Sequence, residues 1–191
     1  RTTCPQCRSK LEPGQRIHAA CIQAYADAQQ AKAERAAAKQ ARAAAKVERA
    51  EIRKRKEAIK TIPTLKKEAQ SAFNEYVRAR DANQPCISCN APPPDLSGLH
   101  AGRDAGHYRS VGSAAHLRYH EDNVHAQCVH CNQWGAGRAV DYRIGLMNRI
   151  GAEKVEALES DNNPHKWQHD ELRAIKAEYT AKARELKKAM Q

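Results

Sequence analysis

Seven cysteines are the residues best suited to chemistry in this chain of 191 residues. Four of them form two Cys-x-x-Cys pairs, Cys86 with Cys89 and Cys128 with Cys131, and 38 residues separate the pairs. The two-residue spacing lets both thiolates of a pair reach one zinc ion, and four thiolates complete its tetrahedral coordination. The pattern therefore predicts a structural Cys4 zinc site that ties the two pairs together.

A second cluster near the start of the sequence has the form C-x2-C-x10-H-x2-C. Its members are Cys4, Cys7, His18 and Cys21. Three cysteines and one histidine are a common structural zinc set. We expect a second zinc ion here, and a chance placement of the single histidine is the alternative.

The residues between and beside the two central cysteine pairs could carry catalysis. A neutral histidine accepts a proton from water, and a divalent cation beside it neutralises charge on a scissile phosphate. We predict that His107 is the general base, that Asn132 binds Mg²⁺ or Mn²⁺, and that Asn123 holds the loop that orients His107. Asp104 is the nearest carboxylate for the cation. In a regular strand, however, positions 104 and 107 face opposite sides, so its participation needs a bulge at Ala105-Gly106.

Basic residues recur at alternating intervals of three and four between residues 32 and 60, which places them on one helical stripe about 42 Å long. We predict that the stripe follows DNA phosphates with strongly salt-dependent affinity, and a solvated single helix is the alternative. Its members are Lys32, Arg35, Lys39, Arg42, Lys46, Arg49, Arg53, Lys56 and Lys60. Arg109, Arg118 and Arg138 are further candidates for phosphate contacts. Tyr108 and Trp134 fit either core packing or base stacking.

Composition supports a polyanionic partner and argues against a large apolar core. The formal net charge is +11 and the pI is about 9.5, which favours nucleic acid. Leu, Ile, Val and Phe together number only 26, so order depends on metal as well as on packing. No apolar run of membrane-spanning length and no signal-peptide pattern occurs. We therefore expect a soluble, cytoplasmic protein with no membrane partner.

The elements that must position these residues are mostly helices. Residues 1–21 form a zinc knuckle, and 22–60, rich in Ala, Lys, Arg, Glu and Gln, form one long basic helix. The periodicity predicts a second, amphipathic helix over 64–80. This helix and the candidate nuclease module together form one predicted domain, 64–150. That module comprises a loop at 82–103, short strands within 104–127 and a helical stretch at 128–150. Helices at 152–159 and 168–190 form a C-terminal segment, 151–191. The expected fold class is mainly α with a small ββα-metal module.

The central motifs resemble the zinc-stapled HNH, or His-Me finger, nucleases, in which a hairpin and a helix hold one Mg²⁺-type ion. The shared order is Cys-x-x-Cys, His, Asn, Cys-x-x-Cys-Asn. Those nucleases usually carry Asp or His directly before the catalytic histidine, whereas Gly106 stands there in this chain. The identity of the second cation ligand is therefore open.

At the family level the chain is similar to the lambdoid phage NinG, or Rap, recombination proteins from about residue 4 to 188. The resemblance rests on Pro85 to Cys89, Asp104 to Arg109, Leu117-Arg118, Asn123, Cys128 to Gln133 and Ile175 to Tyr179. It implies a phage-encoded endonuclease, in the host cytoplasm, that cuts branched recombination intermediates such as Holliday junctions and D-loops. Symmetric cutting of a junction would need two active sites, which makes a homodimer a reasonable hypothesis.

Two other classes of function remain open at this point. A non-catalytic zinc-finger adaptor would bind DNA or RNA and use the HNH-like residues only as scaffold. A structural protein would pair its long helix with another chain, although the charge stripe argues against such a seam. Cleavage that is lost in His107→Ala while binding remains would exclude the adaptor.

Overall fold

The structure is a computed structural model that describes residues 2–93 and 102–190. It divides into two compact units, Arg1–Ile59 and Lys60–Gln191. Each unit has its own zinc-type cluster.

The first unit is a small knuckle followed by a long helix. An isolated bridge between Thr3 and Lys10 closes the knuckle, and a 3-10 turn at Ala19–Cys21 leads into helix α1, Ile22–Ala58. No residue of α1 is buried within the chain. The long helix is thus confirmed and ends two residues before the predicted boundary. Since it buries no side chain, its order rests on helix-forming residues and not on packing.

Helices α2, Ile62–Arg80, and α5, His169–Ala189, pack together and form the main core of the second unit. Phe73 lies at its centre, with its ring edge-on to Tyr119 and Tyr179. The predicted amphipathic helix is confirmed, but it begins two residues early and includes Pro63. Proline is tolerated in the first turn, where its missing N–H has no helical partner.

A two-stranded antiparallel sheet carries the central motifs. Strands β1, Arg103–His107, and β2, Val124–Cys128, pair without interruption from Arg103 opposite Cys128 to His107 opposite Val124. Two 3-10 turns, Ala115–Tyr119 and Glu121–Asn123, fill most of the connection. The strands therefore occupy only the two ends of the predicted 104–127 stretch.

The end of α2 is joined to β2 by a buried ion pair. Arg80 holds Asp81 through two hydrogen bonds of 2.7 and 2.9 Å, and it also donates to the carbonyl of Val124. Asp81 accepts the amide of Ala126 at 2.8 Å. These hydrogen bonds from the end of α2 thus fix the position of β2 relative to the α2–α5 core.

After β2 the chain forms a π-helical turn, His130–Trp134, then helices α3, Ala139–Ile150, and α4, Ala152–Ser160. The predicted helical stretch at 128–150 is therefore two segments. The break falls at residues 135–138, where Ala136, Gly137 and Arg138 adopt positive φ angles of 50°, 80° and 46°. Among these three residues only Gly137 adopts such an angle without steric cost.

A second core lies between α3, α4 and the first central cysteine pair, with Ile87, Tyr142, Leu146 and Val155 buried in it. A Cβ atom on Gly145 would lie 1.8 Å from the carbonyl oxygen of Ile87. The helix backbone therefore rests directly on the Cys86–Cys89 turn. Among the described residues, no helix is long and apolar enough to cross a bilayer.

Candidate metal centres and catalytic site

The four ligand atoms of the N-terminal cluster, from Cys4, Cys7, His18 and Cys21, lie within 4.8 Å of one another. His18 turns Nδ1 towards the sulfur of Cys7 at 3.3 Å. Its Nε2 donates to the carbonyl of Lys10 at 3.2 Å. A hydrogen bond from the second ring nitrogen is the usual way in which a metal-binding histidine is oriented.

Backbone amides also prepare this cluster for a cation. Burial raises the pKa of Cys4, but hydrogen bonds from the amides of Cys7 and His18 outweigh burial and lower the pKa to about 6. A thiolate is the form that binds zinc. The donor set, its spacing and its polarity all fit a Cys3His zinc ion.

The central cluster has the same compactness with four sulfurs, those of Cys86, Cys89, Cys128 and Cys131. The sulfurs of Cys89 and Cys128 are 3.8 Å apart, which equals the edge of about 3.8 Å expected of a tetrahedron with zinc–sulfur bonds of about 2.3 Å. The amides of Cys128 and Cys131 point at the sulfurs of Cys86 and Cys128 at 3.3 and 3.4 Å.

All seven cysteines are free of disulfides. In the central cluster, burial raises the pKa of Cys86, but amide hydrogen bonds bring it down to about 7. Burial raises the pKa of Cys131 to about 12, so this thiol needs a cation in order to ionise. Both clusters can therefore bind zinc. In the sequence, the two cysteine pairs of the central cluster lie before and after Asp104, His107 and Asn123.

His107 ends β1 and is held in a defined tautomer. Its Nε2 lies 3.0 Å from the carbonyl oxygen of Arg118, and because a carbonyl only accepts, Nε2 carries the proton and Nδ1 keeps a free lone pair. Burial lowers the pKa of His107, more than the Arg118 carbonyl raises it. The imidazole is therefore neutral near pH 7, as a general base requires.

Asn123 is completely buried below this histidine. Its side chain accepts the amide of Arg109 at 2.8 Å and donates to the carbonyls of Arg109 and Leu117, both at 3.1 Å. Its own carbonyl accepts the amide of Tyr108. Asn123 thus clamps the chain on both sides of the loop that follows His107.

Asn132 lies in the π-helical turn and reaches back to β1. Its Nδ2 donates to Oδ2 of Asp104 at 2.9 Å, and Nε2 of Gln133 donates to the same oxygen at 2.9 Å. The strand register is regular, so the bulge considered at Ala105-Gly106 is absent and Asp104 keeps the face opposite His107. The turn, and not a bulge, brings Asp104 and Asn132 together.

A cavity of about 700 Å³ has both His107 and Asn132 in its wall, together with Tyr108, Gly137 and Glu159. It places the candidate base and a candidate cation ligand at one opening. Asp104 does not line this cavity.

The structure explains why a glycine stands at position 106, which no sequence motif indicated. A Cβ at this position would lie 2.2 Å from Oε1 of Gln127. Gln127 is fully buried and donates to Ser88 and to the carbonyl of Gly137, both at 2.7 Å. Its amide therefore occupies the space that a side chain at position 106 would need. Gln127 is part of this site, and only its cross-strand position opposite Asp104 could have pointed to it.

Two of the predicted phosphate-binding residues are already engaged by groups of the protein itself. Arg109 donates to three backbone carbonyls at the end of α4 and to Asn162, so its guanidinium is fully engaged. Lys60 lies beyond α1 and pairs with Glu68 at 2.7 Å, because the helix ends before it. Both cations are thus engaged within the protein, and their contact with DNA stays a prediction.

The other predicted phosphate-binding residues differ in exposure and in how many of their side-chain donors are used within the chain. The eight stripe residues from Lys32 to Lys56 are exposed on α1. Arg138 pairs with Asp141 at 2.8 Å and approaches the sulfur of Cys131 at 4.0 Å. Arg118 donates from Nε to Gln70 at 2.8 Å and leaves its two terminal nitrogens unused among the described contacts.

The two ambiguous aromatic residues have opposite environments. The hydroxyl of Tyr108 donates to Glu159, and the ring packs on Tyr142 with centroids 5.6 Å apart. Burial raises the pKa of Tyr108 to about 12. Tyr108 is therefore a packing residue, whereas Trp134 is 79% exposed.

These features define a mainly helical protein with two Cys/His clusters that can bind zinc and a two-stranded sheet between the central cysteine pairs. A family model described as "Bacteriophage Lambda NinG protein" matches residues 1–189. The chain belongs to the NinG family.

Individual relatives agree with this assignment. The chain is 44% identical over 137 residues to "Protein ninG" of Escherichia phage 933W, covering 72% of this chain and 65% of the relative. It is 44% identical to the protein of the same name in Escherichia phage lambda and 43% identical to that of Salmonella phage P22, each covering 72% of this chain and 64% of the relative. The match thus spans slightly less than two thirds of these relatives. No solved structure matches the chain significantly.

Proposed function

We propose that the chain is a metal-dependent DNA endonuclease with an HNH, or His-Me finger, core. The observation that carries the proposal is a neutral histidine, His107, that shares one cavity with Asn132. The order of elements agrees, since β1, β2 and a helical turn follow one another and the turn begins at the zinc-type cluster. Gly106 takes the place of the Asp or His that usually precedes the catalytic histidine.

The residues divide the chemistry between them. Nδ1 of His107 accepts the proton of the attacking water, while the Arg118 carbonyl keeps Nε2 protonated and the ring oriented. Asn123 holds the loop. The Oδ1 of Asn132 is an oxygen donor of the kind that Mg²⁺ and Mn²⁺ prefer. Asp104 is not in the wall of the cavity and accepts a hydrogen bond from Nδ2 of Asn132, so its proposed role is to orient that amide. A bound cation would neutralise charge on the phosphate and on the leaving oxygen.

Branched recombination intermediates, such as Holliday junctions and D-loops, are the proposed substrates, in line with the family resemblance. Residues 1–21 and 22–60 act as a knuckle and a basic arm, 64–150 as the nuclease module and 151–191 as a helical segment packed on it. The exposed cations of α1 give affinity without sequence choice, because phosphate contacts position a protein but do not specify bases. Zinc is structural only, and a homodimer cuts both strands of a junction.

The test is cleavage of labelled four-way junction, D-loop and linear duplex in Mg²⁺ or Mn²⁺. His107→Ala should abolish cutting, and His120→Ala, an exposed histidine on the neighbouring turn, should cut normally. Circular dichroism and zinc content of both variants should equal those of the parent. Sedimentation on a junction should give two chains, and a monomer there would contradict the dimer.

A non-catalytic nucleic-acid adaptor is the second candidate, and Gly106 is the observation that favours it. A Cβ at that position would overlap the Gln127 amide, and Gly106 leaves the site without the Asp or His that usually precedes the catalytic histidine. If the parent binds branched DNA but neither Mg²⁺ nor Mn²⁺ supports cutting, the adaptor replaces the nuclease.

A further inference from the structure

A groove of about 540 Å³ runs along α2 on the second unit and is not part of the cavity at His107. Six of the seven residues in its walls have polar or charged side chains. The walls comprise Pro63, Lys66, Lys67, Gln70, Ser71, Asn74 and Arg118. Nothing in the sequence motifs pointed to this surface, apart from Arg118.

The charge of the groove has one sign. Lys66, Lys67 and Arg118 contribute three cations, and no carboxylate lines the groove. Within residues 2–93 and 102–190, none of the three has an ion-pair partner. On the same unit Lys60 and Lys176, by contrast, both pair with Glu68.

Arg118 is held in place for a ligand. Its Nε donates to Oε1 of Gln70, and its guanidinium carbon lies 5.9 Å from the centroid of the Tyr119 ring. Gln70 in turn donates to Oδ1 of Asn74 at 2.7 Å. This chain of contacts leaves the terminal nitrogens of Arg118 and Nδ2 of Asn74 as donors. Guanidinium and ammonium groups beside amide and hydroxyl donors suit phosphate oxygens.

The groove is also linked to the proposed base. The backbone carbonyl of Arg118 is the group that holds Nε2 of His107, so a ligand on its side chain would bear on the residue that orients the catalytic ring. We infer that the groove binds the phosphate backbone of one DNA arm and positions that arm relative to His107. This inference rests on the proposed function, since a polyanionic substrate is its starting point.

The test compares two double variants that each remove two positive charges. Lys66→Ala with Lys67→Ala empties the groove of its lysines, and alanine keeps the helix. Arg184→Ala with Lys188→Ala is the matched control, because both residues are exposed on α5 and have no ion pair within the described residues. Affinity for a labelled four-way junction is measured in full-length protein across a salt series, without Mg²⁺, so that no cutting occurs.

For the groove variant, the plot of log affinity against log salt should be less steep, with a slope smaller in magnitude by about 1.8. This difference corresponds to about 60-fold in affinity per tenfold change in salt. The control should leave the slope unchanged, and Lys66→Arg with Lys67→Arg should restore it. Gln70→Ala, which frees Arg118 without a charge change, should weaken binding less than the double lysine variant.

The outcomes separate the two proposals. Equal slopes for the groove and control variants, with tight binding by the parent, would overturn the groove and leave the nuclease intact. Failure of the parent to bind any DNA would remove the proposed function and the groove with it. Unfolding midpoints that equal the parent's show that the helical substitutions have not changed the fold.

Discussion

Each of the two Cys/His clusters consists of two ligand pairs with a two-residue spacing, but the surroundings of the two clusters are very different. Around the N-terminal cluster only Cys4 and Leu11 are buried among residues 2–21. Around the central cluster, the buried Cys86 and Cys131 adjoin a core that contains Ile87 and Leu146. The N-terminal knuckle therefore depends on its metal in place of a core, whereas the central site adds metal binding to packing.

The largest expected effect is loss of a zinc ligand. Cys131→Ser should remove one zinc per chain and destabilise the second unit by an amount on the order of 10 kcal/mol, because structural zinc binding is largely folding free energy. Zinc content and near-ultraviolet circular dichroism measure it. Cys7→Ser should also remove one zinc but leave the unfolding of the second unit unchanged. If both variants destabilised the second unit equally, the proposed difference between the two clusters would be wrong.

Close backbone packing gives the next largest effect. Gly145→Ala forces a Cβ against the carbonyl of Ile87, and neither backbone can yield, so we expect about 3 kcal/mol of destabilisation. In the knuckle, Gly14→Ala meets no atom within 4 Å but has a φ of +88°, which costs about 1 kcal/mol. Denaturant unfolding of each variant checks this order. A larger loss for Gly14→Ala would reverse it.

Gly106→Ala should cost about 2 kcal/mol, because the new Cβ displaces the buried Gln127 amide from its two hydrogen bonds. Adding Gln127→Ala to this variant should give a loss smaller than the sum of the two single losses. Simple additivity in this double-mutant cycle would show that the two side chains do not compete for the same space.

The smallest expected effect is a pH dependence that arises from a buried histidine. Burial lowers the pKa of His125 to about 4. The unfolded chain therefore takes up a proton near pH 6.5 that the folded chain refuses, and stability is lost as the pH falls below 6.5. The loss is about 1 kcal/mol by pH 5.5. His125→Gln should flatten the stability profile between pH 7.5 and 5.5, whereas His120→Gln should not.

Sequence patterns predicted well those helices that depend on residues close together in the chain. The run without Gly or Pro gave α1, and the apolar spacing from Leu65 to Val77 gave the buried face of α2. The two Cys-x-x-Cys pairs met as expected. Boundaries moved by about two residues because caps and first-turn prolines, such as Pro63, allow a helix to begin before its apolar pattern does.

Contacts across long separations were beyond sequence reasoning. Arg109, Arg118 and Arg138 look alike as residue types, yet the first is consumed by carbonyls of α4, the third pairs with Asp141, and the second faces an uncompensated groove. The partner of a surface arginine depends on which distant segment folds beside it, and a linear motif carries no information about that.

The amino-acid sequence by itself determined the zinc-type ligand sets, the long basic helix, the mainly helical composition and the family, because each depends on residue types at short, regular spacings. The tertiary structure was needed to show that the π-helical turn brings Asn132 to Asp104 without a bulge, that the Gln127 amide fills the space beside Gly106, and that the Arg118 carbonyl selects the tautomer of His107. These depend on how segments separated in the chain pack against one another, and packing is a property of the whole fold.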